Sequence, residues 1–295
     1  MTRTETPAEE RLREQLRPEK PFARFRWTVT ILLAAAFAWS ALTIDARWDR
    51  LAQIPERTWN FLGLLIQDAS LGPLVIALEA MWESVAIAWV ATLIGVVISF
   101  PLIFLASVNV ANRWVVLVVR QVLNLFRAIP EIVLAIAFIP FFGLNPVTAA
   151  VAMGVSSIGT LGKLSAEIVE GIDRGPMEAV AASGGGWLAK LRWGVLPQAM
   201  PEIAAFWLYR FEINIRVSAV LGVLGIGGIG TFLTQAAQRN YYDRIGLGLL
   251  VVIVVTMLID GASARLRRRI INGPPGELDQ KREAAARVQI SGDET

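Results

Sequence analysis

Between residues 85 and 106 the chain carries no ionisable side chain at all. About 20 apolar residues, at about 1.5 Å rise each, make a helix long enough to cross the ~30 Å hydrocarbon layer of a bilayer. The same pattern returns at 27–44, 128–142, 146–169, 198–217 and 245–264, in places broken by isolated charges. The whole chain is 55% hydrophobic and 18% charged, with a mean hydropathy of +0.53, whereas soluble domains carry nearer ~25% charge. These runs predict an all-α membrane protein with about six transmembrane helices. The third run has an alternative, earlier start as an interfacial helix from Trp114.

Lysine and arginine placement sets the expected orientation. Seven lie in 1–26; Arg113, Arg120 and Arg127 precede the third run; Arg174, Lys190 and Arg192 lie between the fourth and fifth; Arg265, Arg267, Arg268 and Arg269 close the last. The intervening loops hold only Arg47, Arg50, Arg57, Arg239 and Arg244. Both termini are therefore expected in the cytoplasm. The predicted organisation is a cytoplasmic head (1–26), a transmembrane domain (27–270) and a polar tail (271–295) opening on Asn272-Gly273-Pro274-Pro275-Gly276. No small-residue cleavage site follows the first run, so it reads as a retained span rather than a signal peptide.

Cysteine and histidine are both absent. That removes thiol nucleophiles, disulfides, Ser-His-Asp triads and metal sites built on His or Cys. The net charge of +3 and pI near 9.6 do not point to nucleic acid, because the arginines flank apolar runs instead of forming a soluble basic face.

Residues 217–233 are apolar enough for a seventh crossing, but Gly222, Gly225, Gly227, Gly228 and Gly230 would weaken a lipid-facing helix. A seventh crossing would also put the four terminal arginines outside. The segment reads as re-entrant, shielded by protein, with Gly225, Gly227, Gly228 and Gly230 packing an outer gate. Gly225-x-Gly227-x-x-Gly230 matches a dinucleotide fingerprint without the strand and βαβ unit that would give it meaning. Gly162-Lys163 resembles a P-loop, but Leu164 follows it and Ser157 stands where the first glycine belongs. No cofactor is expected on this chain.

The most informative segment is 175–197, between the fourth and fifth runs. Pro176 suits a first helical turn, Glu178-Ala179-Val180-Ala181-Ala182 favours helix, and Gly184-Gly185-Gly186 permit a sharp reversal. Residues 187–193 can form a second short helix before Leu196-Pro197. This elbow resembles the EAA loop of ABC importer permeases: Glu-Ala-Ala, three residues, Gly, nine residues, then Ile-x-Leu-Pro. Glu178, Ala179, Gly184, Leu196 and Pro197 keep the spacing; Val180 and Gly194 depart from it. The resemblance implies an ABC importer permease fold whose elbow docks on a separate cytoplasmic ATPase, with ATP and Mg on that partner. An ordinary helix-turn-helix loop is the bland alternative.

The fifth run carries Glu202, Arg210, Glu212 and Arg216. At about 100° per residue, Glu202, Tyr209, Glu212 and Arg216 share one sector, while Arg210 points to the side of Asn214. Glu212 and Arg216 also form an i,i+4 pair with the acid first. These residues are candidates for a polar path for an anionic substrate; structural ion pairs between helices are the equal alternative. In the fourth run Ser156, Thr160, Lys163, Glu167 and Glu170 form one helical stripe, in which Lys163–Glu167 reads as a structural pair.

Residues 127–131 (Arg-Ala-Ile-Pro-Glu), 209–216 and the glycine-rich stretch to Gly230 look like those of phosphonate importer permeases, and the likeness covers roughly 75–270. It implies a multi-pass subunit of the cytoplasmic (inner) membrane. It also implies a second copy of the chain, ABC ATPase subunits and an extracytoplasmic solute-binding protein. Phosphonate is the expected cargo, with phosphite or phosphate as related ones. A permease for another solute such as methionine, and a stand-alone secondary transporter using Glu202 or Glu212, remain as other readings. An intramembrane enzyme has no recognisable nucleophile–base or metal set here.

Overall fold

The computed structural model describes residues 23–43, 53–67 and 72–272, and every regular element among them is a helix. The expectations for 1–22 and for the tail beyond 272 lie outside the described residues. The chain divides into two units, 1–60 and 61–295. The first contains α1 (Ala23–Thr43), whose described side chains are almost all exposed, as suits a helix solvated by lipid. Helix α2 (Ile54–Gln67) crosses the boundary between the units in sequence.

The second unit contains α3 (Leu74–Leu105), α4 (Arg113–Ala128), α5 (Glu131–Phe142), α6 (Pro146–Glu170), α7 (Gly175–Ala182) and α8 (Trp187–Ala189). A π-helical segment, Lys190–Val195, leads into α9 (Leu196–Leu221). A 3₁₀ turn (Gly222–Leu224), α10 (Gly228–Gln238) and α11 (Tyr242–Asn272) complete it.

Helices α1, α3, α6 and α11 are each long and apolar enough to cross a membrane. Two bent pairs, α4 with α5 and the 187–224 helical run with α10, raise the number to six if each counts as one span. The third expected run is thus a broken one, bent by 86° between α4 and α5. Pro130 causes the break: it lacks an amide hydrogen and forces the preceding residue out of the helical region, and Ile129 is extended (φ −96°, ψ 118°). The earlier start is the one adopted, at Arg113, where the Asn112 side chain accepts from the Trp114 amide at 3.1 Å.

Small residues let the central helices approach closely. A Cβ on Gly95 would lie 2.6 Å from the Ser157 Cβ, and one on Gly154 would lie 2.8 Å from Ile94, so α3 and α6 cross almost backbone to backbone. Leu123 of α4 fills the space left by Gly162. Buried hydroxyls find their own helix: Thr92 donates to the Ala88 carbonyl, Ser107 to Ile103 and Ser157 to Met153, each at 2.7 Å.

Residues 217–233 end α9, break at a left-handed Gly225 (φ +78°) and restart as α10, bent by 41° from the preceding run. Eleven residues give α10 only about 16 Å, too short for a crossing of its own.

Candidate functional site

The elbow folds as a helix, a left-handed stop and a return. Helix α7 has Pro176 in its first turn, and Asp173 accepts the Gly175 amide at 3.0 Å. Its end is a Schellman turn: the Gly185 amide donates to Val180 and the Gly184 amide to Ala181, with Gly184 at φ +80°. The return differs from the expected separate second helix. Residues 187–189 pass directly into the π-helical Lys190–Val195 and then into α9, so the elbow is a rigid extension of α9.

Both departures from the EAA pattern lie at the elbow's inner contact. A Cβ on Gly194 would come within 2.9 Å of Met177 Cγ and 3.0 Å of its Cα, so the missing side chain makes room for α7. Val180 closes over Gly185 in the same way, at 2.6 Å from a Cβ there. Glu178, Ala179, Gly184, Gly186, Trp187 and Leu188 remain exposed.

Behind the elbow, Met177 and Leu191 pack on a cluster that includes Ile103 of α3, Val169 of α6 and Ala199 and Ile203 of α9. The Trp187 indole donates to the Val110 carbonyl at 3.1 Å, and Gln198 bonds both Asp173 and Gly194. The loop after α3 is held in turn by Glu170, which accepts from the Val108 amide and pairs with Arg120. A displacement of the elbow therefore reaches three long helices through packed contacts. Between the elbow and that loop is a cavity of about 430 Å³, lined by Asn109, Met177, Glu178, Trp187 and Lys190 among others.

The charged residues of α9 divide as their angular positions predict, but with partners that the sequence does not reveal. Arg210 and Asn214 turn inward together: Arg210 Nε and Asn214 Nδ2 both donate to Ser157 Oγ, at 3.0 and 3.3 Å. Asn214 also donates to Thr92. Arg210 pairs with Glu131 at 3.1 Å, and Ser156 donates to the same carboxylate at 2.9 Å. The expected Glu212–Arg216 pair does not form. Glu212, 7% exposed, pairs with Arg267 of α11, and Arg216 pairs with Asp260 at 3.0 Å. Two cross-helix pairs to α11 replace one along a helix. The Arg267 guanidinium also lies 5.9 Å over the Tyr209 ring.

Tyr209, Arg216 and Glu202 are exposed; Glu202 lines a groove with Glu167, Gln198 and Phe206. Lys163 and Glu167 form no ion pair among the described residues, contrary to the expected structural pair. Ser156 and Glu170, from the same stripe, find Glu131 and Arg120 instead.

The glycine segment is held against α3. Gly227 (φ +106°) and Gly228 (φ +74°) present their backbone to Glu83 and Ser84: the Gly228 amide donates to Glu83 at 2.7 Å and the Ile229 amide to Ser84 at 2.9 Å. Gly230 lies against the Ala219 carbonyl and Gly222, a contact that admits no side chain. No strand occurs among the described residues, so the apparent dinucleotide fingerprint is a tight bend between two helices.

The profile of the family described as binding-protein-dependent transport system inner membrane component matches residues 99–272. The chain belongs to that family. The matched range takes in the elbow, the charged face of α9 and the glycine segment. Among named family relatives, a phosphite transport system permease protein of Stutzerimonas stutzeri, HtxC, is 32% identical over 260 residues, covering 88% of this chain and 89% of that one. The phosphate-import permease protein PhnE of Mycolicibacterium smegmatis is 39% identical over 198 residues, 64% of this chain. The match spans only 36% of that longer protein. Among solved structures, the inward-facing MetNI methionine ABC transporter superposes with a TM-score of 0.61 at 24% identity, over 68% of this chain and 97% of that one. The permease fold of this family is thus shared over 68% of this chain.

Proposed function

We propose that the chain is the membrane-spanning permease subunit of an ATP-driven importer for a phosphonate, phosphite or phosphate oxyanion, working in the cytoplasmic (inner) membrane with both termini in the cytoplasm. The observation that carries the reading is the elbow: an exposed, glycine-stopped helix braced on α3, α6 and α9 at the family's spacing. The cargo rests on the relatives named for phosphite and phosphate transport.

In this reading Glu178, Ala179, Gly184, Gly185, Gly186, Leu196 and Pro197 form the coupling elbow, seated on a separate ABC ATPase that holds ATP and Mg. Arg210, Glu212, Arg216, Tyr209 and Glu202 line the translocation path. Gly225, Gly227, Gly228 and Gly230 form the outer gate. A second copy of the chain completes the path, and an extracytoplasmic binding protein delivers the cargo.

The test is reconstitution with the ATPase and binding protein in proteoliposomes. ATP hydrolysis and uptake are expected to rise with methylphosphonate, phosphite or phosphate. Stimulation by methionine alone would move the cargo to amino acids, and proton-driven uptake by this chain without an ATPase would remove the ABC assignment.

A further inference from the structure

Arg210 of α9 is a cation 6% exposed, bonded to α6 through Ser157 and paired with one counter-charge from α5. Glu131 brings that charge from α5, and its side chain is 29% exposed. The anionic end of the pair thus reaches the surface while the cationic end does not. Two donors from different helices, Arg210 Nη2 at 3.1 Å and Ser156 Oγ at 2.9 Å, converge on the single oxygen Glu131 Oε1. Ser157, which donates its own hydrogen to Met153, accepts from Arg210 Nε and fixes the guanidinium's direction.

Arg127, one turn before Glu131 in sequence, is exposed and forms no ion pair among the described residues. Its stem crosses α6 at Gly159, where a Cβ would lie 2.8 Å from Arg127 Cγ, less than one turn from Ser156. The same network holds one buried acceptor without a partner, Asn214 Oδ1.

We infer that the Glu131 carboxylate is a resident stand-in for the transported anion: a compact tetrahedral oxyanion displaces it from Arg210 and Ser156 during passage, and it returns when the anion leaves. The chemistry matches on each side. A carboxylate and a phosphonate-class oxyanion accept from the same donors, here Arg210 Nη2 and the Ser156 hydroxyl. Glutamate can swing outward by side-chain rotation alone, because its head already meets the surface. Exchange of one anion for another keeps Arg210 paired throughout, which avoids leaving a buried charge alone. A competing internal anion also keeps cargo affinity low enough for release. This rests on the oxyanion cargo proposed above.

The experiment uses the permease–ATPase complex in detergent, with inorganic phosphate and glycerophosphoglycerol, a soluble lipid headgroup, as probes. Glu131→Gln is expected to raise phosphate affinity at least tenfold, and Arg210→Ala added to it is expected to abolish the gain. The headgroup diester should gain less than twofold. Should Glu131→Gln fail to fold, Glu131→Asp, one methylene shorter, is expected to give about a threefold gain.

Unchanged phosphate affinity in a folded Glu131 variant would overturn the inference, as would a gain confined to the headgroup or one that survives Arg210→Ala. Uptake by the wild-type complex with its binding protein scores the cargo separately. If that uptake is normal while the Glu131 variants show no gain, this inference alone falls.

Discussion

Glycines in this chain do two different jobs, and substitution separates them. Gly184 has a left-handed backbone but open space around it, so alanine there meets only the conformational cost of about 1 kcal/mol. Gly230 faces the Ala219 carbonyl at a distance that excludes any side chain. Gly230→Ala is therefore expected to cost about 3 kcal/mol, the upper range for overpacking, and Gly184→Ala about a third of that. Thermal melting of the purified variants reads the difference. Sequence reasoning recognised both glycines as important, because runs of glycine in an apolar context are conspicuous. It could not tell open from crowded positions, since crowding depends on residues eight or more positions away.

At the level of elements, helical geometry fixes which side chains of α9 share a side, although Glu212 is buried while Glu202, Tyr209 and Arg216 of its sector are exposed. Arg210 and Asn214 do turn inward together. Their partners were beyond that reach: Glu131 stands out in sequence only within the Arg-Ala-Ile-Pro-Glu segment, and Glu212 meets Arg267, in sequence one of the four arginines closing the last run. Asp260 offered a signal that was not used, an acid inside an apolar run. The two α9–α11 pairs should differ in weight. Arg267→Ala strands a nearly buried carboxylate and is expected to cost about 3 kcal/mol and impair assembly. The Arg216 and Asp260 side chains are 54% and 40% exposed. Arg216→Ala is expected to leave assembly intact, at under ~1 kcal/mol, while lowering transport. Melting temperature and uptake, measured on the same preparations, check both.

For the whole molecule, the elbow was legible because its family spacing fixes helix, glycine stop and return together. Its continuity with α9 was not, since Gly194 and Pro197 look like interruptions and instead fit within one helical run. A stiff connection makes a sharp expectation. Gly184→Trp and Glu178→Lys alter only the exposed tip, so both are expected to fold and insert normally. ATP hydrolysis in the assembled complex should then lose its cargo dependence by about tenfold. Wild-type stimulation in both variants would count against the elbow as the contact with the ATPase.

The six residues of Lys190–Val195 are wound more loosely than the α-helix they join. A π-turn holds one residue more than an α-turn, so it works like a phase shifter spliced into a drive shaft. Removing one exposed residue there, Trp193, would let the segment tighten to α-winding and leave the tip facing as before, whereas the same deletion within regular α9 would turn everything upstream by about 100°. In that second case every helix would survive, yet the tip would face the wrong way, and the transporter would idle without being broken.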